Sequence, residues 1–239
     1  MKKTYTILLI SIILSVCVQT AYAQFVLAQD TVRGRIDFSP RLGDMNNAVA
    51  IPNDSVFYML PVDLSTDPWR QVYRYMPDRA VRSGYIQSTK LMRVDDYDIV
   101  EVERLSAHGY ISFKNSDVRI VVSVAPVTSK DVAIKKGTDG LYRVNGKLAR
   151  GVAKWGTPKM QYKSITVSIK GRNIPVPKKL FEHLLEPDIE DMVVYYNPRK
   201  ETVYMQVNNG GTSAYYTVLF TMSIRGALSP YIFDPSMNK

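Results

Sequence analysis

Side chains that could act as nucleophiles, acids or bases are scarce in this sequence. It contains two histidines, His108 and His183, and Ser106 lies two positions before the first of them. A serine hydrolase needs a serine, a histidine and an acid that meet in space. The G-x-S-x-G pattern that presents such a serine on a sharp turn is absent from the sequence. Catalysis is therefore an alternative here, and binding is the main prediction.

One acidic run could suggest a cation site. Its members are Asp95, Asp96, Asp98, Glu101 and Glu103. An EF-hand calcium loop needs a central glycine, and this run has none. Glu101 and Glu103 would share one face of a strand, so we interpret them as its wet side. Two histidines cannot form a three-histidine zinc site, and one cysteine cannot form a cysteine-rich one. We predict no metal and no cofactor.

Clustered positive charge is the strongest chemical signal. Residues 130–179 contain 13 Lys or Arg and only 2 Asp, within a chain of formal net charge +9. Such a face attracts anions, so we expect an acidic protein or an anionic envelope component as the partner. The alternative is a solvated hairpin whose lysines prevent edge pairing. The candidate interaction residues in this segment are Lys147, Arg150, Lys154, Trp155, Lys159 and Lys163.

Specific nucleic-acid binding is not expected. Lysines outnumber arginines in the basic segment, whereas arginine is the better residue for bidentate phosphate recognition. No RNP, KH or helix-turn-helix pattern is present either.

Arginine and aromatic residues alternate in a second segment, and tyrosines recur near the C-terminus. Trp69, Arg70, Tyr73 and Arg74 are of the types enriched at protein–protein interfaces, so they form a second candidate epitope. Their aromatic rings could instead fill the core. Strand parity predicts an outward tyrosine row, which could bind a partner or be covered by the N-terminal part of the chain. The row comprises Tyr195, Tyr204 and Tyr215.

Residues 1–23 have the organisation of an export signal. Lys2 and Lys3 precede an almost entirely apolar run, and an Ala-Tyr-Ala sequence at 21–23 supplies the small residues of a cleavage site. Cleavage there would remove Cys17, the only cysteine. A lipoprotein attached at Cys17 is the alternative. We expect the periplasm or cell surface of a Gram-negative bacterium, with no membrane-spanning segment after signal removal.

The elements that must position these side chains are mostly strands. Prolines recur through residues 24–85 and limit that region to short strands. In 86–239, apolar residues alternate at 118–124, 165–169, 203–207 and 214–224. Asn145-Gly146 predicts a hairpin. An apolar stripe between Pro177 and Pro187 predicts a helix over 178–185.

The predicted fold is therefore β-rich α+β, with twisted antiparallel sheets and one or two short helices. We divide the chain into the signal (1–23), the proline-punctuated region (24–85) and the β-rich domain (86–239). The alternative is that the last two form one domain. The predicted function is non-catalytic binding outside the cytoplasm, for example as an immunity-type inhibitor of an exported toxin. The alternatives are an envelope hydrolase and a structural component of a surface assembly that pairs through strand 214–224.

Overall fold

The computed structural model describes residues 24–60, 68–75, 81–211 and 213–235. The predicted export signal lies outside these ranges. Of the described residues, 53% are in strands and 5% are helical, which confirms the β-rich prediction. The N-terminal strands are β1 (Gln24–Ala28), β2 (Arg35–Phe38), β3 (Val49–Pro52), β4 (Val56–Met59), β5 (Trp69–Tyr75), β6 (Val81–Gln87) and β7 (Leu91–Arg93).

The remaining strands are short, except for four that are eight to ten residues long. They are β8 (Asp98–Ile99), β9 (Val102–Ser106), β10 (Tyr110–Lys114), β11 (Val118–Pro126), β12 (Ile134–Lys136), β13 (Tyr142–Val144), β14 (Lys147–Leu148), β15 (Met160–Ile169), β16 (Arg172–Ile174), β17 (Val193–Asn197), β18 (Thr202–Asn209), β19 (Tyr216–Ser223), β20 (Gly226–Ala227) and β21 (Tyr231–Phe233). Single 3-10 turns occur at Ser88–Lys90, Val94–Asp96 and Lys178–Leu180.

These strands form four antiparallel sheets and one two-stranded ribbon. The N-terminal sheet has the order β6-β5-β4-β1-β7, and β2 pairs with β3 in the ribbon. The central sheet has the order β20-β19-β18-β17-β8, with β21 also paired to β19. The outer sheet has the order β16-β15-β11-β10-β9, and the small sheet has the order β12-β13-β14.

The largest core lies between the outer and central sheets. Ile120, Val122 and Val167 of the outer sheet share one cluster with Val203 and Phe220 of the central sheet. The predicted alternation is confirmed, because residues of one parity along each strand fill this core. Burying several such side chains at about 1.5–3 kcal/mol each supplies much of the stability.

The central sheet is covered on its other face as well. Phe25 and Tyr58 of the N-terminal sheet pack in one cluster with Tyr204 and Leu219 of the central sheet and with Phe233. The rings of Tyr58 and Phe233 are stacked with centroids 3.7 Å apart. Burial on both faces explains why seven of the eight residues of β19 are buried, including residues of the polar parity.

The predicted helix at 178–185 is not formed. Only Lys178–Leu180 makes a 3-10 turn, and Phe181 ends it with φ −127°. A helix confined between two prolines is short and therefore marginal by itself. The backbone groups of this segment bond to another part of the same chain instead: the Leu185 N–H donates to the Arg150 carbonyl at 3.0 Å. Phe181, Leu184 and Leu185 are nevertheless buried, so their apolar character is used without a helix.

The hairpin predicted at Asn145-Gly146 is confirmed. These two residues have φ of 50° and 81° and connect β13 to β14. Positive φ at both central positions is the requirement of a type I′ turn. No helix among the described ranges is long and apolar enough to cross a membrane.

We expect stability to fall steeply above about pH 10, the ordinary pKa of tyrosine. Burial raises the pKa of Tyr58 to about 12, and burial also raises the pKa values of Tyr162 and Tyr216. The folded chain keeps these phenols protonated while the unfolded chain ionises them. Stability is therefore complete below the unfolded pKa and is lost as pH rises toward the folded one.

Tyrosinate absorbance and circular dichroism should change together in one alkaline step. Tyr58→Phe should make the pH dependence of unfolding less steep. Independent titration of all tyrosines near pH 10 in a chain that remains folded would contradict this prediction.

Candidate functional site

Trp155 is the most exposed aromatic side chain among the predicted interaction residues, and it lies beside the small sheet. Lys136 of β12 lies opposite Tyr142 of β13, so the two side chains share one face of this sheet. Trp155 follows β14 in a tight turn, which the N–H of Gly156 closes by donating to the Ala153 carbonyl at 2.8 Å.

Two ammonium groups lie over the Trp155 ring. The Nζ atoms of Lys136 and Lys154 are each 5.5 Å from its centroid. Lys136 Nζ also lies 5.6 Å from the Tyr142 centroid. Both distances are within the range of cation–π attraction, which contributes about 0.5–1 kcal/mol at exposed sites. We call Lys136, Gly140, Tyr142, Lys154 and Trp155 the Trp155 platform.

Gly140 allows the platform to pack closely. Its φ is +78°, and a Cβ at this position would lie 3.3 Å from both the Trp155 ring and the Lys154 side chain. Glycine adopts this backbone conformation without steric strain, whereas other residues do not. The turn before β13 therefore packs closely against the indole ring.

The platform is accessible and its charge is not neutralised by the described part of the chain. Trp155 is 75% exposed, and Lys136 and Lys154 are exposed as well. Among the described residues, no carboxylate lies within ion-pair distance of either lysine. An exposed indole between two unpaired cations can contact an anionic surface with both its ring and its ammonium groups.

Arg150 is not a surface residue, which corrects its assignment to the interaction surface. Its guanidinium forms an ion pair with Asp234 at 2.6 Å, and the two side chains are only 13% and 11% exposed. Its backbone N–H donates to the His183 carbonyl at 2.9 Å. Arg150 therefore fastens the small sheet to the body of the protein.

The other predicted lysines of this segment do not join the platform. Lys147 donates from Nζ to the Lys179 carbonyl at 2.5 Å. Lys159 and Lys163 are exposed on the approach to β15 and on β15 itself. Of the six predicted residues, only Lys154 and Trp155 belong to the platform. Lys136 and Tyr142 were missed, because their pairing in the small sheet leaves no motif in the sequence.

The second candidate epitope is partly structural. Trp69 and Arg70 are half-buried on β5, and Arg70 donates to the Trp69 carbonyl at 3.0 Å. Tyr73 packs against Phe233 with centroids 6.1 Å apart. Arg74 is half-buried on the same strand. The ring of Tyr73 therefore packs into the core, which is the alternative to its being part of a binding epitope.

The tyrosine row is divided by the covering N-terminal sheet. Tyr204 is only 3% exposed and stacks on Tyr97 with centroids 5.3 Å apart, so it is removed from the candidate surface. Tyr195 packs against the same cluster. Tyr215 is 39% exposed and donates from its hydroxyl to the Asn208 side chain at 2.9 Å. Of the two alternatives for the tyrosine row, Tyr204 follows the second: the N-terminal part of the chain covers it.

In the part of the chain that the structure describes, no hydrogen bond joins the side chains of the candidate catalytic residues Ser106, His108, Glu101 and Glu103. Ser106 uses its hydroxyl to accept the backbone N–H of His108 at 3.1 Å, which is a local turn contact. Glu103 accepts a hydrogen bond from Ser112 at 3.2 Å and lies 3.8 Å from Arg119. Within the described ranges, no three His, Cys, Asp or Glu side chains are grouped closely enough to hold a metal ion.

Similarity to known proteins gives no further constraint on the site. Comparison with protein-family models, with curated proteins and with solved structures found no match to this chain.

Proposed function

We propose that this is an exported, non-catalytic binding protein that recognises an acidic protein through the Trp155 platform. The observation that carries the proposal is the exposed indole of Trp155 with two unneutralised ammonium groups 5.5 Å from its ring. The basic segment that surrounds it, residues 130–179, has 13 bases against 2 acids.

Physical chemistry favours this surface as an interface. The clustered charge raises the local concentration of acidic partners and accelerates encounter, while contact with the indole buries apolar area once the partner docks. Tryptophan is among the residues that contribute most when buried at the centre of an interface. Lysines suit a carboxylate-rich protein surface, whereas specific phosphate recognition favours arginine.

Export is part of the proposal and is supported by the sequence pattern of residues 1–23. An immunity-type inhibitor that neutralises an exported toxin by surface complementarity is one concrete form of this function. Genes adjacent to this one should then encode an acidic exported protein, which a genome comparison would reveal.

Binding to a labelled oligo-glutamate peptide should depend on the platform. The chain has two tryptophans, so a Trp69→Phe variant leaves Trp155 as the fluorescent reporter. Its emission should shift on peptide binding, and the affinity should fall as salt is added, because salt screens exposed charges. Trp155→Ala, followed with the labelled peptide, should weaken binding about tenfold or more, as expected for an interface hot spot.

Variants that each remove one positive charge test whether binding depends on the Trp155 platform or only on the overall charge of the protein. Lys136→Gln and Lys154→Gln should each weaken binding clearly, while Lys163→Gln removes the same charge from an exposed position on β15 and should have a small effect. Equal losses for all three variants, or unchanged binding by Trp155→Ala, would overturn the proposal.

A further inference from the structure

A cleft of about 870 Å³ opens at one end of the central sheet. Its floor is formed by β18 and β19, and its sides by the turns that follow β3, β15, β17 and β19, together with the segment leading into β21. None of its residues belongs to the Trp155 platform. It is lined by Asp54, Val56, Lys170, Pro198, Arg199, Lys200, Glu201, Thr202, Tyr204, Thr221, Ser223, Ile224, Arg225, Gly226, Ala227, Leu228 and Tyr231.

The floor of the cleft is a row of hydroxyl groups. Thr202 lies opposite Ser223, and Tyr204 lies opposite Thr221, so these four side chains share one face of the central sheet. Thr221 is only 8% exposed, and its Oγ1 has no hydrogen-bond partner among the described residues. A buried hydroxyl without a partner costs about 1–3 kcal/mol, so such an arrangement is uncommon in a folded protein. This Oγ1 is enclosed, so rotation of the Thr221 side chain would present it to a ligand hydroxyl in the cleft.

The rim of the cleft carries two cations that are not paired with an acid among the described residues. Lys170 is paired with Glu201 at 2.7 Å, and Lys200 is paired with Asp54. Arg199 and Arg225 are exposed, and among the described residues no acid lies within ion-pair distance of either. Two guanidinium groups therefore remain to bind an anion, and their planar forks match the geometry of a carboxylate.

The remaining wall is apolar. Ile224 and Leu228 are exposed large hydrophobic residues, and Tyr231 is half-buried beside them. An aromatic ring and aliphatic side chains can pack against the C–H face of a sugar, as they pack against other partly apolar ligands. The cleft thus combines hydroxyl groups, two unpaired arginines and an apolar wall.

We propose that this cleft binds a carboxylate-bearing sugar, either free or as the end of an acidic glycan. The carboxylate would lie between Arg199 and Arg225, a sugar hydroxyl would bond to Thr221, and the C–H face would pack against Leu228 and Tyr231. This ligand site goes beyond the proposed protein binding and does not depend on it.

Glucuronate should bind in a calorimetric or NMR titration, and glucose should bind about tenfold more weakly or not at all. Loss of the charged hydrogen bonds, at about 1.5–3 kcal/mol, accounts for that ratio. A glucuronate-terminated disaccharide distinguishes the two sources of ligand: tighter binding than glucuronate indicates a glycan end, and equal binding indicates the free sugar. Inorganic phosphate should bind more weakly than glucuronate.

Two variants test the assignment of groups. Arg225→Gln should weaken glucuronate binding about tenfold or more, while Arg82→Gln, which removes an exposed arginine of β6 outside the cleft, should leave it unchanged. Thr221→Val should weaken binding while the midpoint of thermal unfolding stays the same or rises, because an unpartnered buried hydroxyl is replaced by a methyl group. A merely structural threonine would lower that midpoint.

Three results would overturn the proposal. They are the absence of glucuronate binding at millimolar concentration, glucuronate binding unchanged by Arg225→Gln and Thr221→Val, and phosphate binding as tight as glucuronate binding. A failure of oligo-glutamate binding at the Trp155 platform leaves this test unaffected, since the two sites share no residue.

Discussion

Arg150→Met is expected to lower the free energy of unfolding by about 3 kcal/mol or more, because it removes the cation that is paired with the largely buried Asp234 carboxylate. The two groups are 2.6 Å apart, with side chains 13% and 11% exposed. Breaking a buried ion pair from one side strands a charge, whereas an exposed pair contributes little. Denaturant unfolding followed by circular dichroism measures the change.

A matched pair on the same small sheet provides the control. Arg143 and Asp139 are 2.7 Å apart, but their side chains are 39% and 43% exposed. Arg143→Met should lower the free energy of unfolding far less than Arg150→Met, because solvent screens this exposed pair. The double variant Arg150→Met with Asp234→Asn should recover part of the lost stability. Equal losses for Arg150→Met and Arg143→Met would show that Arg150 is not a structural residue.

Gly151→Ala should have an effect of similar size, from steric conflict. Gly151 has φ +88°, and a Cβ there would lie 2.2 Å from the Leu185 carbonyl oxygen. Backbone strain and overpacking each cost about 1–3 kcal/mol, so together we expect a loss of about 3 kcal/mol or more. The measurement is again the free energy of unfolding in denaturant.

Gly146→Ala separates the two causes. Gly146 has φ +81°, close to that of Gly151, but a Cβ there meets nothing within 4 Å. It should therefore show only the strain, about 1–2 kcal/mol. A loss for Gly151→Ala no larger than that for Gly146→Ala would mean that the Leu185 segment moves aside readily.

Arg150→Met and Gly151→Ala should both weaken the attachment of the small sheet to the rest of the protein. Arg150 and Gly151 follow β14 after one intervening residue and lie against residues 183–185. The Trp155 platform is built on this sheet. Binding by the platform should therefore decrease in both variants as the sheet loosens, so stability must be measured beside affinity for any variant of this segment.

The repeating features of the fold could be predicted from the sequence. Apolar residues at every second position, such as Val203, Met205 and Val207, predicted strands with one face in the core, and these residues are buried. Asn145-Gly146 predicted a hairpin, because few residue pairs adopt positive φ at both positions. Both are local properties, decided within a few residues of chain.

The candidate site was predicted only in part. Clustered lysines and Trp155 marked the basic segment as a candidate surface, and Lys154 and Trp155 do meet there. Lys136 and Tyr142 join them only because β12 pairs with β13. The cleft with Thr221 could not be predicted, since its lining residues come from well-separated parts of the chain.

The sequence by itself determined that this chain is β-rich, that its positive charge is concentrated in residues 130–179 and where one hairpin turns, because alternation, composition and turn chemistry act over short distances. Only the tertiary structure decided which side chains remain accessible. The N-terminal sheet covers the second face of the central sheet and buries Tyr204. Arg150 forms a largely buried ion pair with Asp234 and is therefore not an accessible cation. The Arg150 carbonyl also accepts the N–H of Leu185, in the segment that was predicted as a helix. Each outcome depends on a partner far away in the chain, and residue type does not specify which distant surface a side chain will meet.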